Sequence, residues 1–501
     1  MKNPILHRTA RRAVFVKAPC GLVEGLRLGG TCRFLGIPYA QAPVGERRFA
    51  APARKPPFAS TFRALKFGPS APQREALPGA VAHLASFARR FSEDCLNLHV
   101  FTPDISGQRA VLVFIHGGGF FLGSGSQYPG DELARRGDIV VVTLNYRLGL
   151  FGFNGFAERF ADDERFAANA GLLDQRMALE WVRDNIGAFG GDPRRVTIAG
   201  ESAGAASVGF HLVAERSKPL YQRAICQSGA INMFHTRKGA GAIADVALSM
   251  LAPGGDREAL FALPARTFVE AFRKLSARFQ GLPTMPYIDG TELPELPLPT
   301  LYERSKPVPL LIGTNRDEFT LFVDLPGFGL AVGPEDLSAW VTRTAGAEKA
   351  REILSLYSRD GRGSTQLGTD ILFRIAASHL AEHHAAKAPT FVYRLDWTAK
   401  GALAKLGATH SVDLPLIFDR FLVPFRSSYL GILPDPKRRA LSLRMQDHWT
   451  AFVRDGDPGR SWPAYRPETR MTKIFDLTDS VEADPARDRR LAWTGVDGFV
   501  P

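Results

Sequence analysis

Arg195-Val196-Thr197-Ile198-Ala199-Gly200-Glu201-Ser202-Ala203-Gly204 runs without a break from β-favouring residues into a serine held between small residues and two glycines. Val196, Thr197 and Ile198 predict a short strand. The small-residue stretch from Ser202 to Leu212 predicts a helix, so the local order is strand, tight turn, helix. Gly200-Glu201-Ser202-Ala203-Gly204 fits G-x-S-x-G, in which the glycines let a strand turn sharply into a helix and present a strained serine hydroxyl outward. The pentapeptide alone is a moderate signal, because Gly and Ser are common. The strand before it and the helix after it give it weight, and they make Ser202 a candidate nucleophile.

Working outward, residues 110–115 (AVLVFI) are almost continuously apolar, as a strand buried on both faces of a parallel sheet requires. Residues 138–144 (DIVVVTL) read the same way. Between them and the serine, residues 171–189 carry Leu172, Leu173, Leu179, Val182 and Ile186 at near-helical spacing and stop at Gly190-Gly191-Asp192-Pro193. Runs at 223–227, 308–312 and 389–395 add strands. Strands alternating with helices predict an α/β fold with a predominantly parallel central sheet flanked by helices. Residues 60–92 and 231–300, rich in Pro, Gly and Ala and less regular in period, are expected to be insertions capping the sheet. Length alone suggests roughly three domains. The segments that look coupled in chemistry, at 116–120, 200–204, 313–318 and 410, span most of the chain and predict one domain over residues 1–501.

Ile115 leads into His116-Gly117-Gly118-Gly119-Phe120, a run whose backbone N–H groups are uncovered by side chains. With the N–H of Ala203, such donors can face a developing oxyanion. A phosphate-binding loop needs G-x-x-x-x-G-K-[S/T] or a G-x-G-x-x-G opening a helix, and neither is present here. A base should follow an acid in the chain. Five histidines lie beyond residue 318; His379, His383 and His384 sit in a helix-like stretch and His448 in the amphipathic segment 440–453. His410 instead lies between Gly407-Ala408-Thr409 and Asp413-Leu414-Pro415, in a loop where an imidazole can project. With a reference pKa of roughly 6.5, such a base predicts activity that falls through that range on acidification. For the acid, Asp317 and Glu318 both follow the strand at 308–312, and the residues themselves leave that choice open. His379-Leu380-Ala381-Glu382-His383 matches an H-x-x-E-H zinc pattern, but no third ligand accompanies it. No metal and no cofactor are expected.

The 501 residues carry a formal net charge of +12, with Lys and Arg scattered among Asp and Glu. There is no basic tract interleaved with aromatics, so no nucleic-acid partner is expected. Four cysteines without a C-x-x-C pair suggest neither a zinc site nor a disulfide scaffold. The basic opening has only residues 13–16 as an apolar run before Lys17, too short for a secretory h-region, and no stretch approaches a membrane span. A cytoplasmic, reduced protein is expected.

Taken together, the chain resembles the type-B carboxylesterase and lipase family, which includes bacterial p-nitrobenzyl esterases, mammalian carboxylesterases and cholinesterases. The likeness covers nearly the whole chain. Phe34-Leu35-Gly36-Ile37-Pro38-Tyr39-Ala40 through Pro43-Val44-Gly45 and Arg48-Phe49 resembles the family's opening block, and Ser92-Glu93-Asp94-Cys95-Leu96-Asn97-Leu98 its second signature. Asn145-Tyr146-Arg147-Leu148-Gly149, Asp174-Gln175, Phe189-Gly190-Gly191-Asp192-Pro193 and Gln227-Ser228-Gly229 match as well. The resemblance implies the α/β-hydrolase fold and hydrolysis of small-molecule carboxylic esters through an acyl-enzyme. It implies Ser202, Glu318 and His410 as the triad, Glu318 over Asp317, with Gly118, Gly119 and Ala203 as oxyanion donors and Glu201 and Ser228 as supporting residues. An amidase, carbamate hydrolase or lactonase would use the same triad, and a non-catalytic binding protein the same fold. The family often bridges the cysteine at position 95 to one preceding a Pro-Gln; Ala71-Pro72-Gln73 lacks it, which leaves Cys95 a free thiol. Residues 83–91 lack the tryptophan that cholinesterases use for choline, which argues against that activity.

Overall fold

A computed structural model describes residues 11–74, 90–324, 333–401, 403–419, 430–431 and 434–496. The basic opening up to residue 10 and residues 75–89 of the expected insertion at 60–92 lie outside the described residues.

The apolar runs become the middle of one large twisted sheet. Its strands are β1 (Arg12–Ala18), β2 (Gly21–Leu28), β3 (Thr31–Pro38), β4 (Phe62–Arg63), β5 (Asn97–Thr102), β6 (Arg109–Ile115), β7 (Val140–Leu144), β8 (Gly191–Glu201), β9 (Arg223–Gln227), β10 (Leu310–Asn315), β11 (Thr390–Leu395), β12 (Met471–Phe475) and β13 (Ser480–Ala483). The order is β1-β2-β3-β5-β7-β6-β8-β9-β10-β11-β12-β13, with β4 on β2. From β7 to β12 every neighbouring pair is parallel. The flanks are antiparallel: β1 to β3, β5 and β7 on one side, β13 on the other. The parallel strands are buried on both faces, and two apolar clusters on opposite faces of the sheet hold alternate residues of β6, Val111 and Val113 in one, Leu112 and Phe114 in the other.

The expected helix at 171–189 is Ala170–Asn185, tightened into a 3₁₀ turn over Ile186–Phe189 and ended by Gly190 at φ 84°. Four of the sequence signatures are joined two by two through ion pairs. Arg147 meets Asp174 through Nε (2.8 Å) and Nη2 (2.7 Å), and Arg48 meets Glu93 in the same two-pronged way at 2.7 and 2.8 Å. Both pairs are bidentate; Arg147–Asp174 is fully buried, so losing one partner would strand a charge, and Arg48–Glu93 is partly buried.

Residues 231–300 are more regular than expected. They contain helices Arg237–Leu251 and Ala265–Phe279, which pack Ile243, Leu251, Phe268 and Leu275 against Phe49, Phe151 and Phe166. The second of these helices packs on the short turn Gly149–Gly152 that follows β7.

Candidate active site

β6 and β8 are parallel neighbours, with Ile115 paired to Gly200. The glycine run after β6 and the serine after β8 therefore emerge side by side at the sheet's carboxyl edge, where functional groups collect in open α/β sheets. Ser202 sits at φ 58°, ψ −125°, a left-handed conformation costly for a residue with a Cβ. The turn around it closes only because its flanks are bare. A Cβ on Gly200 would lie 2.3 Å from the Gly204 backbone, and one on Gly204 would lie 2.1 Å from the Ile115 carbonyl oxygen. The Ser202 N–H is tied to the Gln227 carbonyl (2.9 Å), and the helix Ala203–Val213 starts at once.

Gly117 is pressed against this turn; a Cβ there would meet the Glu201 carbonyl at 2.6 Å and the Ser202 Cβ at 3.1 Å. Gly118 (φ 108°) and Gly119 (φ 60°) then turn back, and the Gly118 carbonyl accepts from the N–H groups of Phe121 (3.1 Å) and Leu122 (3.0 Å). Ala203 opens its helix, so its own N–H has no partner within that helix. Among the described residues no acceptor takes the N–H groups of Gly118, Gly119 or Ala203. Two of these N–H groups lie in the loop after β6 and the third opens the helix that follows Ser202.

His410 comes from the loop after β11. Its Nδ1–H donates to Glu318 Oε2 at 2.6 Å, and Glu318 Oε1 accepts the Asn315 backbone N–H at 2.6 Å. Asp317 does not face the histidine: its Oδ2 accepts the Ala408 N–H (2.9 Å) and pairs with Arg316 (2.9 Å), while its own N–H donates to the Ala408 carbonyl (2.9 Å). The imidazole is packed by Phe322 and Phe373, whose ring centroids lie 5.2 and 4.8 Å away. On the far side Nε2 is 3.1 Å from Glu201 Oε1, which also accepts from Ser411 Oγ at 2.6 Å. A carboxylate oxygen thus faces each ring nitrogen. Burial alone pushes the imidazole down, but the facing Glu201 and Glu318 outweigh it and hold His410 well above its ordinary range. Burial likewise pushes Glu201 up to about 7, with His410 pulling the other way.

Residues that sequence reasoning missed complete the surroundings. Asp413, fully buried and pushed up by that burial, accepts from Gln227 Nε2 (2.6 Å) and the Tyr393 hydroxyl (3.3 Å); Trp449 Nε1 donates to Gln227 Oε1 (3.2 Å). Asn315 Nδ2 braces the histidine loop at the Thr409 carbonyl (2.9 Å). Asp413 was visible only as a turn marker after His410. Ser228, at φ 54°, donates its N–H to the Gly313 carbonyl (2.8 Å), and its buried Oγ has no partner among the described residues. The H-x-x-E-H helix is Ile375–Ala385; there His383 Nδ1 donates to the His379 carbonyl (2.8 Å) and Glu382 pairs with Arg470 (2.9 Å).

Comparisons with known proteins identify the family and the fold. The model of the carboxylesterase family matches residues 12–492. The chain is 37% identical to the para-nitrobenzyl esterase of Bacillus subtilis over 94% of this chain and 96% of that protein. It is 32% identical to a phenmedipham hydrolase of Pseudarthrobacter oxydans, over 97% and 98%. Among solved structures it superposes on a thermophilic pNB esterase with a TM-score of 0.87 at 35% identity, covering 95% of this chain and 99% of that one. A Geobacillus stearothermophilus carboxylesterase gives 0.84 at 33% identity, over 96% and 100%.

Proposed function

The chain belongs to the carboxylesterase family and hydrolyses carboxylic esters, and we propose that Ser202, His410 and Glu318 carry out that reaction. The observation that carries this assignment is the 2.6 Å bond from His410 Nδ1–H to Glu318, which fixes the tautomer whose Nε2 acts as base. Ser202 Oγ attacks the ester carbonyl carbon and His410 Nε2 takes its proton. The carbonyl oxygen becomes an anion facing the N–H groups of Gly118, Gly119 and Ala203, donors that need no reorganisation when charge develops. Collapse breaks the C–O bond, and the imidazolium returns its proton to the leaving alcohol. A water activated by the same imidazole then releases the acid from the acyl-enzyme. Glu201 lends a second carboxylate to the imidazolium, and Ser228 supports the serine turn from β9.

We further read residues 1–501 as one catalytic domain of the cytoplasm acting on small-molecule esters. Support comes from the continuity of the sheet from β1 to β13 and from the four cysteines, Cys20, Cys32, Cys95 and Cys226, all free thiols. Among the described residues no helix is long and apolar enough to cross a membrane.

A fluorophosphonate probe tests the nucleophile. It should label the protein once, with the adduct mapping to the Ser202 peptide, and Ser202→Ala should be unlabelled. Labelling undiminished in Ser202→Ala would remove the assignment.

A further inference from the structure

Beside the oxyanion loop lies a cavity of about 450 Å³, lined chiefly by apolar and aromatic side chains. It is within the size range of small-ligand sites. Its walls come from the helix Ala265–Phe279 of the cap and from the short turn Gly149–Gly152, and they include neither Ser202, His410 nor Glu318.

 The cap helix concerned is Ala265–Phe279, which contributes Phe268, Val269 and Phe272 to the lining. The charged side chains of the lining are Arg74 and Arg273, both exposed, with Arg273 held by Glu270 at 2.7 Å.

Two further lining residues, Phe121 and Leu122, reach the oxyanion loop directly. Their N–H groups both donate to the Gly118 carbonyl. A Cβ on Gly118 would lie 2.2 Å from the Leu122 carbonyl oxygen, and one on Gly119 would lie 2.8 Å from the Phe121 ring. That ring in turn stacks on Phe272 with centroids 4.7 Å apart. The wall of the cavity is therefore the backing of the loop. A molecule filling the cavity packs against the two residues that set the direction of the Gly118 and Gly119 N–H groups.

We propose that this cavity is a second binding site, separate from the ester site, for a medium-length aliphatic carboxylate, and that its occupancy stiffens the oxyanion loop through Phe121 and Leu122. The apolar walls take the chain and the two arginines take the head group. Stiffening acts on donors used in the transition state, so it raises kcat and leaves KM unchanged. The kinetic half of this inference rests on Gly118 and Gly119 being oxyanion donors; the binding half rests on the cavity alone.

Octanoate is the probe, measured by calorimetry and by its effect on p-nitrophenyl acetate hydrolysis. Octanoate should bind wild type and Ser202→Ala equally, and saturation should raise wild-type kcat about fivefold, the low end of ordinary coupling between sites. Val269→Trp, which fills the cavity, should abolish binding. Reversing the exposed rim charges in Arg74→Glu/Arg273→Glu, substitutions that leave the core untouched, should weaken octanoate about tenfold and leave octanol unchanged. Absence of binding to wild type, or undiminished binding in both Val269→Trp and the rim variant, would overturn the site. Pure competition with p-nitrophenyl acetate would place octanoate in the ester site instead, and binding with kcat unmoved would overturn the coupling. Failure of the fluorophosphonate to label Ser202 would leave the calorimetric result standing, so the two readings fail separately.

Discussion

Two buried glutamates flank one imidazole, and they differ in what else holds them. Glu318 faces His410 Nδ1 at 2.6 Å and gives its other oxygen to the Asn315 backbone N–H, so it is a fixed acceptor built into the turn after β10. Glu201 faces Nε2 at 3.1 Å, ends β8 and is otherwise held by a serine hydroxyl that can rotate. Burial pushes Glu201 up to about 7. The same residue type thus faces one nitrogen from a position fixed by a backbone donor and the other from a position held only by a hydroxyl. Position relative to a backbone donor, more than residue identity, separates the roles.

The sharpest way to break this comparison is Glu318→Gln. The amide keeps the shape but can turn its NH₂ toward Nδ1, favouring the wrong tautomer, and it removes the charge that stabilises the imidazolium. A loss of about 10³–10⁴ in kcat is expected, the scale known for the corresponding change in a serine-protease triad. KM for a short p-nitrophenyl ester should barely move, since the acid acts when charge develops. Steady-state kinetics on a folded variant decide it; a loss smaller than that of Glu201→Gln would invert the roles.

Glu201→Gln should cost less, about tenfold in kcat, because the orienting bond at Nδ1 survives. Its signature is in the pH profile. A base must be neutral to accept the Ser202 proton, and the carboxylates raise His410, so wild-type activity should be lost on acidification at a pH above the 6.5 of an ordinary imidazole. The loop position of His410 alone suggested the ordinary value. Removing the Glu201 charge takes away the leading upward influence, so the acid limb of kcat/KM should move to lower pH by about one unit. Because imidazole and carboxyl titrate as a pair, the wild-type limb belongs to both. An acid limb that stays in place in Glu201→Gln would show that the second carboxylate has no part in it.

Much of this was legible before any coordinates. β6 to β11 were readable because strands buried on both faces are nearly continuous apolar runs, and the serine turn because its glycines are sterically obligatory. β1 to β3 were not, since their half-exposed residues mix Arg, Lys and Gly with the apolar positions. The helix Ala265–Phe279 does carry Phe268, Ala271 and Leu275 at helical spacing, but the Pro and Gly around it made the whole of 231–300 look irregular. In the site, Ser202 and the glycine run were visible as local patterns. The closeness of Glu201 to His410 was not, because it joins residues 209 apart in sequence through the stacking of β8 against the loop after β11. Asp413 was hidden for the same reason: its partners Gln227 and Tyr393 lie on other strands.

The smallest effect is expected at Asp317, the carboxylate next door to Glu318, the acid of the proposed triad. Adjacent side chains diverge here: Glu318 turns in to the imidazole, and Asp317 turns out to Arg316 and to the backbone at Ala408. Through Ala408, two residues before His410, it fastens the histidine loop by bonds in both directions, one from each backbone N–H. Asp317→Asn keeps an oxygen that can accept the Ala408 N–H and leaves the return bond from its own N–H intact. What it loses is the charge toward Arg316, a partly exposed pair worth at most about 1 kcal/mol. The variant should therefore lose less than about tenfold in kcat and less than about 1 kcal/mol in stability, read by p-nitrophenyl acetate kinetics and by urea unfolding. Asp317→Ala sharpens the point, because it also strands the Ala408 N–H and should destabilise by about 1–3 kcal/mol while sparing the pH profile. A shifted acid limb in either variant would mean that Asp317 acts on the imidazole itself, and the division between the inward and outward carboxylates would fall.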